Sequence, residues 1–257
     1  MARFAANLTM MFTEHAFLDR FAAAADAGFD AVEFLFPYEH PPEAIGARLA
    51  RHGLTQALFN LPPGNWAAGE RGLACLPGRR DEMIAGTALA LDYAAATGVT
   101  RLHLMAGLGD RHDPAAMTRY RDAVTRTAET LAAHGIDLLL EPINGRDMPG
   151  YFLNDIDAAA ALIGALGLGN VRLQFDMYHC QIMHGDITMR LRRHIKTIGH
   201  VQIASVPSRH EPDGEEVHYP FLFEELDRLG YAGIVGCEYR PRGATRDGLG
   251  WFETLRR

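Results

Sequence analysis

Serine is almost missing from this chain of 257 residues. Ser205 and Ser208 are the only two, and neither lies in a GxSxG turn, so the nucleophile elbow of a serine hydrolase is excluded. Lysine is scarcer still. Lys196 stands alone and precedes a predicted strand, the wrong end of an α/β barrel for Schiff-base chemistry. The three cysteines, Cys75, Cys180 and Cys237, are far apart and form no CxxC, which removes both a disulfide framework and a thiolate zinc site. No GxxxxGK[ST] and no GxGxxG after a strand is present, so ATP and nicotinamide cradles are absent. A net charge of −7 without a basic run argues against nucleic acid as a partner. No apolar run approaches the roughly 18 residues of a membrane span. The N-terminus enters a strand pattern without a signal core, so the expectation is a cytoplasmic protein with no membrane partner.

What the chain does have is 48% apolar and 22% charged residues, the proportions of a well-filled globular core. Apolar runs of strand length alternate with Ala- and Leu-rich stretches of helical period from end to end. The strands are expected at 3–8, 30–36, 55–61, 100–106, 136–141, 171–176, 198–204 and 233–239. Helices are expected between them at 16–27, 41–52, 79–97, 114–134, 154–167, 186–195 and 219–229, with a short one near 247–255. Gly28, Gly53, Gly98, Gly135 and Gly230 follow helical patterns, where a left-handed residue ends a helix. Segments after strands are longer and richer in His, Pro, Trp and charge. The pattern predicts an α/β protein, a (β/α)8 TIM barrel forming one domain over 1–257, with its chemistry at the strand C-termini. A doubly wound open sheet is the alternative.

The last four strands each supply one oxygen donor at or near the end: Glu141, Asp176, Gln202 and Glu238. Three converging carboxylates without arginines between them repel unless a cation joins them. An all-oxygen set suits Mg²⁺ or Mn²⁺ better than zinc. The alternative for any one acid is a salt bridge to a loop arginine or a cap on the following helix. Glu33 ends no run cleanly and reads as either a support for the site or a structural residue. His103, near the end of the fourth strand, reads equally as a pocket or a core histidine.

These residues also carry a resemblance. The stretch Asn60-Leu61-Pro62-Pro63-Gly64-Asn65-Trp66-Ala67-Ala68-Gly69-Glu70-Arg71-Gly72 resembles the hydroxypyruvate isomerase family, including its 2-oxo-tetronate isomerase relatives, within the xylose-isomerase-like barrel superfamily. Leu140-Glu141-Pro142-Ile143-Asn144, Gln174-Phe175-Asp176-Met177-Tyr178-His179, His200-Val201-Gln202-Ile203-Ala204 and Arg209-His210-Glu211-Pro212 support it in family order. The resemblance implies that Glu141, Asp176, Gln202 and Glu238 are metal ligands, and that Glu141 and Glu238 transfer the proton. Asn65 stands where relatives often carry Asp, and Ser205 and Ser208 replace residues more often acidic or glycine, departures that touch substrate preference. Gln202 occupies a place where sugar epimerases of the wider superfamily have His, which favours the isomerase branch.

The expected reaction is isomerisation of a small anionic hydroxy-oxo acid through an enediolate, first hydroxypyruvate to tartronate semialdehyde, with 2-oxo-tetronate as the alternative substrate. A substrate carboxylate calls for a fixed guanidinium. Arg71 is the first candidate and Arg209 the second, with His179 for a substrate oxygen and Trp66 as a cover that excludes water. Rival readings are a ketose 3-epimerase acting on a neutral sugar, an endonuclease-like metal hydrolase, and a non-catalytic barrel. A homo-oligomer is the weak expectation for assembly.

Overall fold

The computed structural model describes residues 3–255, so residues 1–2 and 256–257 of the expected unit lie outside the described residues. One sheet holds nine strands: β1 (Arg3–Asn7), β2 (Ala31–Glu33), β3 (Thr55–Gln56), β4 (Phe59–Asn60), β5 (Arg101–His103), β6 (Asp137–Leu140), β7 (Val171–Asp176), β8 (Ile198–Ile203) and β9 (Ile234–Cys237). Their order is β3-β2-β1-β9-β8-β7-β6-β5-β4, and every pairing is parallel. The two ends of that order are halves of one expected strand, interrupted at Ala57 and Leu58. The Asn60 amide still donates to Leu35 O at 2.8 Å on one side, and Leu61 N donates to His103 O at 2.9 Å on the other. The segment therefore closes the ring, and the nine strands make the eight staves of a (β/α)8 barrel.

The outer helices are α1 (Arg20–Asp26), α2 (Pro42–His52), α3 (Arg80–Thr97), α4 (Pro114–Ala132), α5 (Ile156–Leu166), α6 (Met177–Met183), α7 (Ile187–His194), α8 (Tyr219–Arg228) and α9 (Gly250–Leu255). Proline at the first helical position starts α2 and α4, where its missing N–H costs nothing. Gly53 and Gly98 end α2 and α3 at φ of 64° and 69°, a left-handed geometry that strains other residues. Two expectations are corrected. The first helix opens as a 3-10 turn, Phe17–Asp19, and α6 is a helix that the sequence pattern did not reveal. It begins on the residue after β7 with no loop between, so strand and helix read as one apolar run.

Side chains alternate across a strand, and that parity decides what enters the barrel. Phe4 points outward, edge-on to Phe223, Trp251 and Phe252. Its neighbour Ala5 points inward and packs with Ala31, Ala57 and Ile234 as a small buried cluster low in the barrel. Two residues further along, the inward positions turn polar: Asn7, Glu33, Gln202 and Asp176 are all at most 2% exposed. The parallel register sets them level, pairing Asn7 with Glu33, Asp176 with Gln202, and Gln202 with Gly236.

Candidate active site

A cavity of about 700 Å³ opens at the C-terminal mouth of the barrel and is lined by Glu141, Glu238, His103, His179, Arg71, Arg209 and Trp66, among others. The strand-end glutamates thus reach the same space from β6 and β9. Asp176 and Gln202 lie just beneath, almost fully buried.

Asp176 has two jobs because β7 runs straight into α6. Its Oδ1 accepts from Tyr178 N at 2.8 Å and caps the helix, while Oδ2 is buried with no hydrogen-bond partner. Glu141 Oε1 is likewise buried and unpartnered. A buried lone oxygen of a carboxylate is costly, and two facing one site fit a hard cation. Ligand atoms of Glu141, Asp176 and His179 all lie within 4.8 Å of one another. Gln202 is oriented differently from a simple oxygen donor. Its Oε1 accepts from Gln174 Nε2 at 2.6 Å, and its Nε2 donates to Glu33 Oε1 at 2.8 Å and to Glu238.

An arginine does stand among the carboxylates, the loop salt bridge that the sequence left open as the alternative. Arg209 lies over the Tyr178 ring, and its Nη2 donates to Glu238 Oε1 at 2.8 Å and sits 3.9 Å from Asp176 Oδ2. Its Nη1 reaches Asp147 at 3.3 Å. Residue number gives no hint of this return, since the loop after β8 must fold back over the mouth. Helix capping and salt bridging, weighed from sequence against metal binding, are both present here, the cap through Asp176 Oδ1 and the bridge from Arg209 to Glu238, while Glu141 Oε1 and Asp176 Oδ2 accept no hydrogen bond.

Charge in so dry a place is disfavoured. Burial, with Glu238 and Asp176 beside it, pushes the Glu141 carboxyl well above the ordinary range. Burial raises Asp176 to about 6 and Glu238 to about 8, against the pull of Arg209. Burial also drops His103 to about 3, and holds His179 well below the usual value, so both rings are neutral. His103 faces the cavity with Nδ1 3.6 Å from Glu141 Oε2.

The loop after β4 carries Trp66 and Arg71. The Arg71 guanidinium stacks on the Trp66 ring, 3.9 Å from its centroid. Its Nη1 donates to the carbonyls of Trp66 and Glu70 at 3.1 and 2.7 Å, and among the described residues its other nitrogens make no hydrogen bond. Glu70 fastens the loop by accepting from Asn65 N at 2.5 Å and pairing both oxygens with Arg79. Asn144, Gln174 and His200 complete the site's surroundings without having been assigned a role from sequence, and Glu33, read there as a support for the site or a structural residue, joins them. A polar residue inside an apolar run is visible, but not the partner it meets.

The chain matches the family model described as xylose isomerase-like TIM barrel over residues 21–255. It belongs to that family. Within it, a Cupriavidus necator protein named 2-oxo-tetronate isomerase is 56% identical over 255 residues, covering 98% of each chain. The Escherichia coli protein named hydroxypyruvate isomerase is 42% identical and covers 100% of both. The crystal structure of a Brucella melitensis protein described as AP endonuclease, family 2, superposes with a TM-score of 0.97 at 49% identity, covering 99% of each chain. Family membership and the barrel expected from the sequence therefore coincide.

Proposed function

We propose that this protein is a divalent-metal-dependent isomerase of a small anionic hydroxy-oxo acid, moving a proton between adjacent carbons through an enediolate. The observation that carries the reading is the pair Glu141 and Glu238, two buried carboxyl groups lining one cavity from different strands. Glu141, Asp176 and Glu238 would hold the metal, and Mg²⁺ or Mn²⁺ suits their oxygens; Gln202 would join them only by freeing its Oε1 from Gln174. When bound, such a cation supplies Lewis-acid polarisation of the substrate oxygens.

The chain's own groups do the remainder. One glutamate takes the proton from the carbon bearing the hydroxyl, the other gives a proton to the neighbouring carbonyl carbon, the hydroxyl proton passes to that carbonyl's oxygen, and the two carboxyls regain their starting protonation by exchange with water. Environments that keep one carboxyl protonated and the other ionised suit that exchange. Arg209 and Gln202 both donate to Glu238 whereas Glu141 Oε1 has no donor, so of the two Glu238 gives up its proton first. His179 holds a substrate oxygen, Arg71 binds the substrate carboxylate through its unengaged nitrogens, and Trp66 screens the enediolate from water.

The identity of 56% to a 2-oxo-tetronate isomerase, against 42% to a hydroxypyruvate isomerase, favours the four-carbon acid as substrate. The test is an isomerisation assay of metal-stripped protein restored with Mn²⁺ or Mg²⁺, run with 2-oxo-tetronate, hydroxypyruvate and a neutral ketose in parallel. Metal-restored turnover of an acid, lost in Glu141→Gln and in Glu238→Gln, is the expected result. Turnover of the ketose alone would move the protein to epimerase chemistry and leave Arg71 without its role.

A further inference from the structure

Beneath the cavity lies a buried polar cluster that the proton-transfer scheme does not use. Glu33, 0% exposed, is surrounded by three donors. Asn7 Nδ2 donates to Oε1 at 3.1 Å, Gln202 Nε2 donates to the same oxygen at 2.8 Å, and His200 Nε2 meets Oε2 at 2.8 Å. His200 is itself 0% exposed and comes from β8, across the barrel from β2. Asn7 is fixed in turn, because its Oδ1 accepts from Thr9 N at 3.1 Å. Space is kept for this carboxylate by Gly236, where any Cβ would land on the Glu33 oxygens.

Glu33 Oε1 accepts from both Asn7 Nδ2 and Gln202 Nε2, so the nitrogen end of each neighbouring amide faces it. Gln202 must present nitrogen to Glu33. The same Nε2 reaches Glu238, and Gln174 Nε2 takes the Gln202 oxygen from the other side at 2.6 Å. We infer that Glu33 and His200 form a buried positioning pair that fixes the Gln202 side-chain amide and, through it, the Glu238 carboxylate. His200 anchors one oxygen of Glu33 so that the other stays aimed at Gln202. Groups of this kind govern the affinity of metal sites without touching the metal, commonly by about 10- to 100-fold. The link to metal and turnover rests on the function proposed above, whereas the link from Glu33 to Gln202 does not.

The experiment reads both links in the full-length protein. Glu33→Asp keeps the charge and withdraws it by one methylene, and Glu33→Gln keeps the size and removes the second acceptor. Hydrogen exchange of the Gln202 side-chain amide, followed by NMR in the metal-free protein, is expected to speed up at least tenfold in both variants. Mn²⁺ affinity is expected to fall about tenfold in Glu33→Asp. In a Gln202→Ala background the same Glu33 change is expected to alter Mn²⁺ affinity less than twofold, because a residue acting through another is silent once the other is gone. Val32→Ala, a buried change on the opposite face of β2 from Glu33, serves as the control for general loosening. Unchanged Gln202 exchange in both Glu33 variants, or equal acceleration in Val32→Ala, overturns the inference. Accelerated exchange in a protein that binds no Mn²⁺ supports the positioning pair and instead sinks the metal-dependent function.

Discussion

The Nδ1 atom of His179 lies 2.6 Å from Nδ2 of Asn144. The Asn144 amide is itself pinned by Asp147, whose backbone N donates to Oδ1 at 2.8 Å and whose carboxylate accepts from Nδ2 at 3.2 Å. Nδ1 of the neutral ring therefore accepts, and the ring proton sits on Nε2, facing Asp176 Oδ2 at 3.5 Å and Glu141 Oε1 at 3.8 Å. In that tautomer His179 is a hydrogen-bond donor to the site rather than a ligand for a cation. Asn144→Ala is expected to release the tautomer and lower kcat/KM about 10- to 100-fold. Ring ¹⁵N shifts unchanged in the variant would show that Asn144 does not set the proton's place.

Asp176 and Glu238 supply a pH dependence whose direction is fixed by burial. Burial raises them to about 6 and about 8, above the ordinary carboxyl values near 4. A folded state that binds a proton more tightly than the unfolded chain is favoured at low pH. Their contribution is full below about 4 and is lost as pH rises through about 6 and then about 8. The Tm of metal-free protein is expected to fall across that window, and saturating Mn²⁺ or Mg²⁺ to flatten the fall by taking the place of the protons. A slope that is the same in metal-free Glu238→Gln would remove the assignment.

Arg71 makes a separable prediction. Its guanidinium stacks on Trp66 and leaves nitrogens for a planar carboxylate, so Arg71→Gln is expected to raise KM for the acid substrate by about 10- to 100-fold, with kcat changed far less. An unchanged KM would place the carboxylate at Arg209 or Arg240, which also line the cavity.

Much of this was readable in advance because parity and strand ends obey local rules. The runs ending in Glu141, Asp176 and Glu238 predict both the barrel and the group of acids at its mouth, and the structure brings those acids together. The break at Ala57 and Leu58 was not readable, since both residues continue an apolar run. Nor was α6, whose first residue directly follows Asp176. The positions of Arg209 and Glu33 depend on partners up to 169 residues away, and a single sequence records no such contacts.

The Glu70 clamp is expected to respond to acid in the opposite sense to the central carboxyls. Its hydrogen bonds from Arg79, then from the Asn65 amide, hold it down to about 2. A lowered acid stabilises the fold above its ordinary value near 4.5 and stops doing so as pH falls through about 2. Glu70→Gln should therefore reproduce at neutral pH the loop loosening that wild type shows only in acid. Fluorescence of Trp66, recorded in a Trp251→Phe background, reports it. A spectrum that ignores the Glu70 change would mean that the loop is held by other contacts.

Arg209 gives the acidic mouth of this barrel a resident counter-ion, bonded to Glu238 at 2.8 Å and within 3.9 Å of Asp176. In small metal-nucleated domains the apoprotein is unfolded, and assembly has to wait for the ion. Here the guanidinium supplies a positive charge that belongs to the chain itself, so under the function proposed above assembly would not have to wait for the ion, and protein short of metal would stay folded until supply returned.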